Sequence, residues 1–200
     1  MEITKGKFFP TIIYHIKNTL EEKHINDIRK YVIDSYNEDP YDNWQSDPGL
    51  HKHEELNPLS DKIVELGKYV FGDLKYVYDK FEITDMWANV SKDGEFHKPH
   101  THLNNILSGV FYVKSNQSAN INFLDPRPGA NVLSPAMREY NNENSNICGY
   151  PSIENTMLLF PSWLQHYVPE NRGSDRISIS FNLMLKGIIG DETSFQSAKY

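Results

Sequence analysis

Hydrophobic positions repeat with a helical period in the first part of the chain and with a strand-like period in the rest. Residues 20–36 and 59–81 carry apolar side chains every three or four positions, which predicts two amphipathic helices. Ser60 is placed to cap the second helix. The β-branched and aromatic residues 8–16 predict a strand before the first helix. We therefore expect residues 1–80 to supply one strand and two supporting helices.

Short apolar runs, alternating or continuous and separated by turn residues, occupy the remainder of the chain. These runs predict six strands, at residues 83–90, 106–113, 119–124, 156–160, 164–168 and 176–185. Two polar segments, residues 37–57 and 130–154, are too long for simple turns and predict a long connection and a long insertion. The pattern indicates an α+β fold in a single domain, residues 1–200, with a strand-rich core at residues 81–186.

The composition narrows the classes of partner. With 38% hydrophobic and 24% charged residues the chain is expected to fold, and its net charge of −7, without a stripe of Lys and Arg, argues against nucleic acid. The first residues lack the apolar segment of a signal peptide, and no run reaches the roughly 18 apolar residues of a membrane span. The only cysteine, Cys148, excludes an intrachain disulfide. We expect a cytoplasmic protein that binds neither nucleic acid nor membrane.

A histidine cluster directly precedes one of the predicted strands. Side chains two positions apart on a strand point to the same face, so His100 and His102 are predicted to close on one metal ion. His97 has the wrong parity, and Pro99 disturbs its register, so it ranks below the other two. His51 and His53 have the same spacing as His100 and His102, but no apolar strand accompanies them, which favours a solvated loop.

A third ligand is predicted far downstream, at His166. The last two strands predict a hairpin in which His166 and Arg176, each five residues from Asn171, are near neighbours. The final strand alternates between two sets of residues. Its polar set is Arg176, Ser178, Ser180 and Asn182, and its apolar set is Ile177, Ile179, Phe181 and Leu183. One solvated face would explain this alternation, and so would a polar face that lines a site for a metal and an anion.

The ordered motifs of the chain's second half resemble a known enzyme family. They are Trp87-Ala-Asn89, His100-Thr-His102, Leu107-Ser-Gly-Val-Phe-Tyr112, Phe123-Leu-Asp-Pro126, Phe160-Pro-Ser-Trp163, His166 and Arg176-Ile-Ser178-Ile-Ser-Phe-Asn182. The string is similar to that of Fe(II)- and 2-oxoglutarate-dependent dioxygenases, in particular a prolyl-hydroxylase-like branch found in phages and bacteria. The resemblance implies a double-stranded β-helix core over residues 81–185. It also implies that Fe(II), 2-oxoglutarate and O2 take part in hydroxylating a C–H bond.

The same resemblance implies roles for individual residues. His100 and His166 correspond to metal ligands, and Arg176 with Ser178 corresponds to the anchor for the far carboxylate of 2-oxoglutarate. Tyr112, Asn89 and Asn182 are expected to line the co-substrate pocket, and Trp163 is expected to shield it or to belong to the core. The insertion at 130–154, which contains Arg138 and Tyr140, is expected to form a lid or to face the substrate.

One position departs from the family pattern. His102 stands where the family has Asp or Glu, so a site with His102 as its third ligand would leave bound iron at a formal charge of +2. Binding of doubly anionic 2-oxoglutarate would neutralise that charge. Asp125 is an alternative source of a carboxylate ligand.

Two other functions fit part of the sequence. Three-histidine cupin dioxygenases share the His-x-His pattern with a distant His but do not use 2-oxoglutarate, and the Arg176-Ile-Ser178 motif argues against them. A non-enzymatic barrel could use the histidines for a structural metal or for none. The prime substrate is left open among a protein side chain, an amino acid and a small metabolite, and the assembly is left open between a monomer and a homodimer.

Overall fold

Two helices of 17 residues each, α1 (Glu22–Glu38) and α2 (Asn57–Asp73), support one side of the fold. They belong to a computed structural model that describes residues 1–127, 129, 132–133, 135–191, 193 and 195–200. In α1 the buried side chains are Ile25, Ile28 and Val32, which share one helical face. The first predicted helix is therefore confirmed.

Helix α2 starts earlier and ends earlier than the sequence pattern predicts. Pro58 lies in its first turn, where a missing backbone N–H is tolerated, and Ser60 lies inside the helix instead of capping it. The helix ends because Lys75 adopts a left-handed conformation with φ of +59°. The following N–H, of Tyr76, donates to the Phe71 carbonyl at 3.0 Å and closes the terminus. The prediction of a helix up to residue 81 was wrong, because apolar spacing continues past this turn.

Twelve strands lie within the described residues. They are β1 (Tyr14–Lys17), β2 (Trp44–Gln45), β3 (Lys80–Ser91), β4 (His97–His100), β5 (Leu107–Lys114), β6 (Ile121–Leu124), β7 (Ile147–Tyr150), β8 (Thr156–Pro161), β9 (His166–Val168), β10 (Arg176–Lys186), β11 (Ile188–Ile189) and β12 (Ala198–Lys199). Two 3-10 helices, Leu50–Lys52 and Glu54–Leu56, lead into α2. The predicted irregular connection at 37–57 thus contains short regular elements, and its Trp44 is buried.

The strands form two antiparallel sheets that carry the site between them. The large sheet has the order β1-β8-β5-β10-β3-β2, and the small sheet has the order β4-β9-β6-β7, while β11 and β12 pair separately. One hydrophobic cluster joins the helices to the large sheet, and a second, which includes Tyr112 and Phe123, joins the two sheets. This layered arrangement confirms the predicted α+β class and the helical support for a strand-rich core.

Strand β10 explains the alternation seen in the sequence. Its apolar set, which includes Ile179 and Phe181, packs in the core shared with the helices. Arg176, Ser178 and Ser180 line the pocket between the two sheets. Arg176 and Ser178 are nevertheless buried, so the polar face of β10 is an interior surface and not a solvated one.

The predicted hairpin between His166 and Arg176 is wrong. Strand β9 pairs with β4 and β6 in the small sheet, whereas β10 pairs with β3 and β5 in the large sheet. The connection crosses between sheets because the buried Asn171 carboxamide donates to the backbone carbonyls of Ser91 and Lys92, at 3.0 and 3.2 Å. These bonds hold the turn at the end of β3. The residues therefore face each other across the pocket instead of along a ladder.

Two further predictions need correction. The predicted strand at residues 8–16 is reduced to Tyr14–Lys17, and the rings of Phe8 and Phe9 are exposed. The insertion at 130–154 contains β7, which pairs with β6 along its whole length. Its residues 130, 131 and 134 lie outside the described part of the chain.

Candidate metal centre

Three histidines converge at the end of the pocket nearest the small sheet. His100, His102 and His166 each offer one ligand atom, and these atoms lie within 4.8 Å of one another. Their ring centroids are 4.4 Å apart for His100 and His166, 5.2 Å for His102 and His166, and 5.3 Å for His100 and His102. Within the described residues, no other group of three or more His, Cys, Asp or Glu side chains has such a geometry.

The histidines reach this arrangement by a route that strand alternation did not predict. His100 ends β4 and pairs with His166 on β9, and the register shifts between His97 and His100. His102 lies beyond the strand, where its backbone N–H donates to the Ser162 carbonyl at 3.0 Å. The expectation that His100 and His102 share a strand face was therefore wrong, although the two rings do meet.

Hydrogen bonds at Nδ1 fix the tautomer of all three rings. The Nδ1 atoms lie against carbonyl oxygens, at 2.7 Å for His100 and Lys98 O, 2.9 Å for His166 and Leu164 O, and 2.6 Å for His102 and Asn182 Oδ1. Since a carbonyl oxygen only accepts, each Nδ1 carries the proton and each Nε2 keeps its lone pair. Three neutral imidazoles with free Nε2 atoms suit a divalent iron ion. The donor set therefore fits the metal that the sequence resemblance implies.

Burial keeps these rings neutral. It lowers the pKa of His166 to about 3, and it lowers the pKa of His102 against a partly opposing hydrogen bond from Asn182. His97 lines the same pocket but does not belong to the group of three ligands. Burial first, and then the charges of Arg176 and His100, lowers the pKa of His97 to about 4. At neutral pH the pocket thus presents uncharged imidazoles.

Arg176 is a buried cation without an anionic partner. It is 2% exposed, and no carboxylate of the described residues forms an ion pair with it. Its Nη1 donates to Ser178 Oγ at 3.0 Å, while its Nε is buried without a hydrogen-bond partner. The guanidinium lies 5.1 Å from the centroid of Tyr112, whose hydroxyl is also buried and unpartnered. Because an unpaired buried charge is costly, this arrangement favours a bound anion.

One pocket connects the cation to the histidines. Its volume is about 470 Å³ including the open mouth, and its lining includes the three histidines, Arg176, Ser178 and Asn89. Asn89 accepts a hydrogen bond from Gln45 Nε2 at 2.8 Å, so Gln45 also belongs to the wall. Tyr112 and Asn182 stand behind the lining, in contact with Arg176 and His102 respectively. A metal and an anion can therefore occupy the same space.

Several other sequence candidates lie outside the centre. Asp125 forms a two-point ion pair with Arg127, with contacts of 2.9 and 2.6 Å, and is not among the converging ligands. His53 bonds to the Tyr31 hydroxyl at 2.9 Å, and neither it nor His51 joins the group. Trp163 is 57% exposed, so the expectation of a core position was wrong. The exposed Arg138 and Tyr140 do not line the pocket.

Sequence reasoning missed two serines beside the centre. Ser108 Oγ donates to Asn182 Oδ1 at 2.8 Å and lies 2.8 Å from Ser162 Oγ, and both serines are fully buried. They belong to two of the family-like motifs, but a single hydroxyl within an apolar run gives no signal of its own. Their relation to His102 becomes visible only when β5, β8 and β10 are placed side by side.

Comparison with known proteins agrees with this geometry. Residues 85–182 match the model of the family described as "Putative 2OG-Fe(II) oxygenase". This match contains all three histidines, Arg176 and Ser178, and the family description includes both predicted cofactors, iron and 2-oxoglutarate. No curated protein sequence matches the chain. No helix among the described residues is long and apolar enough to cross a membrane.

Solved structures share the fold at low sequence identity. A Pseudomonas putida prolyl-4-hydroxylase has a TM-score of 0.64 at 12% identity, covering 88% of this chain and 94% of its own. The viral collagen prolyl hydroxylase of Paramecium Bursaria Chlorella virus-1, solved with 2-oxoglutarate, has 0.58 at 13%, covering 87% and 96%. An epimerase of nogalamycin biosynthesis, solved with Fe3+ and α-ketoglutarate, has 0.64 at 11%, covering 87% and 79%.

The structural neighbours confirm the predicted double-stranded β-helix fold, and the family match covers the part of the chain that builds the pocket. Through residues 85–182, the chain belongs to the Fe(II)- and 2-oxoglutarate-dependent oxygenases and is an enzyme of that superfamily.

Proposed function

We propose that this oxygenase binds iron through His100, His102 and His166 and hydroxylates a C–H bond of its prime substrate. In this proposal Arg176, with Ser178, binds the far carboxylate of 2-oxoglutarate. The observation that carries it is the coexistence, in one pocket, of three free Nε2 atoms and a buried guanidinium without an anion. When bound, iron supplies the oxidative decarboxylation of 2-oxoglutarate to succinate and CO2, coupled to oxidation of the substrate by O2.

The residues around Arg176 are arranged to hold a carboxylate. Ser178 Oγ accepts from Nη1, which fixes the guanidinium plane and leaves the serine proton available for a second bond. Nε and the Tyr112 hydroxyl are two further donors without partners. A carboxylate that accepts from these groups would satisfy them through charge-assisted hydrogen bonds.

The charges of the centre couple the metal to the co-substrate. Neutral histidines leave a divalent ion at +2, and Arg176 adds +1, so a bound dianion reduces the total from +3 to +1. A centre with a carboxylate ligand would start one charge lower. Each component should therefore tighten the binding of the other by the same factor, as linkage requires.

The prime substrate is proposed as a protein side chain, an amino acid or a small metabolite. The two prolyl hydroxylases among the similar structures support a substrate with an unactivated C–H bond. Trp87, whose ring lies 5.6 Å from that of His102, and Gln45 line the pocket on the side of the β2 edge. A substrate that enters beside them would reach the metal opposite Arg176. We also propose a reducing, cytoplasmic location, because the only cysteine, Cys148, is exposed as a free thiol. Recovery of the native protein in an oxidising compartment upon cell fractionation would contradict it.

Anaerobic titration with Fe(II), with and without 2-oxoglutarate, tests the proposal, and succinate release is then measured in air. We expect 2-oxoglutarate to perturb the iron spectrum and to be turned over, and Arg176→Ala to abolish both effects. Arg172→Ala is the matched control, because Arg172 is exposed and outside the pocket. Iron binding with no response to 2-oxoglutarate would instead favour a three-histidine cupin-type dioxygenase. Absence of metal binding would favour a binding module.

A further inference from the structure

We propose that Asn182 is a positioning residue that makes His102 the third metal ligand. The inference rests on the proposed three-histidine site and adds to it a second layer of buried polar groups. Asn182, Ser108 and Ser162 form this layer, here called the polar chain. The sequence places Asn182 with the co-substrate pocket, but its carboxamide oxygen is engaged by His102 and Ser108.

The polar chain and His102 form a closed ring of hydrogen bonds. The His102 ring donates from Nδ1 to Asn182 Oδ1 at 2.6 Å, and Ser108 Oγ donates to the same oxygen at 2.8 Å. Ser108 Oγ lies 2.8 Å from Ser162 Oγ, and the Ser162 carbonyl accepts the His102 backbone N–H at 3.0 Å. The imidazole and the backbone of His102 are therefore held by one network.

His102 needs this support more than the other two ligands do. His100 and His166 each bond through Nδ1 to the backbone carbonyl two positions earlier, so their own chain segments orient them. His102 lies outside the strand, and its Nδ1 partner is a side chain of the large sheet. Without Asn182, no described group would fix its tautomer or direct Nε2 at the metal.

The network is built as a rigid unit. Ser108 and Ser162 are 0% exposed and Asn182 is 6% exposed, so water does not compete for these bonds. Two donors converge on Asn182 Oδ1, which sets the orientation of the carboxamide. All three ligand histidines then have neutral acceptors, which preserves the +2 charge that distinguishes this centre from one with a carboxylate ligand.

Anaerobic Co(II) titration of the full chain tests the role of Asn182, since Co(II) gives a visible spectrum that reports its ligand number. We expect Asn182→Ala to weaken Co(II) binding by about 10- to 100-fold and to change the spectrum. Asn182→Asp keeps an acceptor at the same place and should restore binding. Ser108→Ala should shift affinity in the same direction by a smaller factor.

A double-mutant cycle separates positioning from a structural effect. If Asn182 acts through His102, Asn182→Ala changes Co(II) affinity little in a His102→Ala background. Equal losses in both backgrounds, or no loss in the wild-type background, would overturn the inference. Long-range 15N NMR of the metal-free protein adds an independent readout, because Asn182→Ala should remove the Nδ1–H preference of His102. Failure of the wild type to bind Co(II), or full binding by His100→Ala with His166→Ala, would instead reject the proposed site itself.

Discussion

His100 and His166 face each other across neighbouring strands of the small sheet, with their ring centroids 4.4 Å apart. The pairing of β4 with β9 fixes this relationship, and the Nδ1 bonds to backbone carbonyls fix both ring orientations. These two ligands therefore depend on the fold itself, whereas His102 depends on a side-chain network.

Removal of either strand-borne ligand should abolish tight metal binding. We expect His100→Ala and His166→Ala each to reduce Fe(II) affinity by at least 100-fold, because a two-histidine remnant cannot enclose the ion. Anaerobic Fe(II) titration measures the loss. His51→Ala with His53→Ala is the control and should retain wild-type affinity, since both lie outside the converging group. A loss in that control would place the metal elsewhere.

Tyr112→Phe should separate co-substrate binding from stability. The Tyr112 hydroxyl is buried without a partner, so its removal should leave the thermal stability of the ligand-free protein unchanged or slightly higher. If the hydroxyl donates to the bound carboxylate, the KM for 2-oxoglutarate should rise by roughly 2- to 12-fold. Tyr167→Phe, on β9 but outside the pocket lining, is the matched control. An unchanged KM would remove Tyr112 from the co-substrate site.

The metal-free protein should lose stability as the pH falls. The pKa of His166 is about 3 in the folded chain and near 6.5 in an unfolded one, so between these values the unfolded chain binds the extra proton. Stability is therefore fully present above pH 6.5 and falls toward pH 3. At pH 5 this residue alone should account for about 2 kcal/mol of the loss.

Urea unfolding of the metal-free protein at pH 7 and pH 5 measures this dependence. The difference should shrink by about 2 kcal/mol in His166→Gln. His24→Gln, which changes an exposed histidine on α1, should keep the wild-type difference. The same pH dependence in His166→Gln as in the wild type would show that His166 is not held neutral by burial.

The sequence predicted the elements better than the connections between them. The alternation along β10 correctly separated a core face from a polar face, because period two follows from strand geometry. The same reasoning failed between His97 and His102, where a register shift and the end of β4 replace a regular strand. A local irregularity of this kind depends on which strands become neighbours, and the sequence pattern does not contain that information.

The hairpin assignment failed for a related physical reason. Counting outward from Asn171 assumes that consecutive strands share a sheet, but the Asn171 carboxamide binds the end of β3 and sends β10 into the other sheet. The ligand set and Arg176 were still identified as members of one pocket, because residue chemistry and the order of motifs survive an error in pairing. The polar chain around Asn182 was missed because its members are brought together only by three strands of the large sheet and a loop.

A crystal structure of the protein with Fe(II) and 2-oxoglutarate, grown without oxygen, tests the central claim most directly. We predict anomalous density for one iron ion bound by Nε2 of His100, His102 and His166, at about 2.0–2.2 Å by analogy with other imidazole–metal bonds. The far carboxylate of 2-oxoglutarate should lie against Arg176 and Ser178. Iron held by a carboxylate of the chain in place of His102, or 2-oxoglutarate bound away from Arg176, would contradict the account.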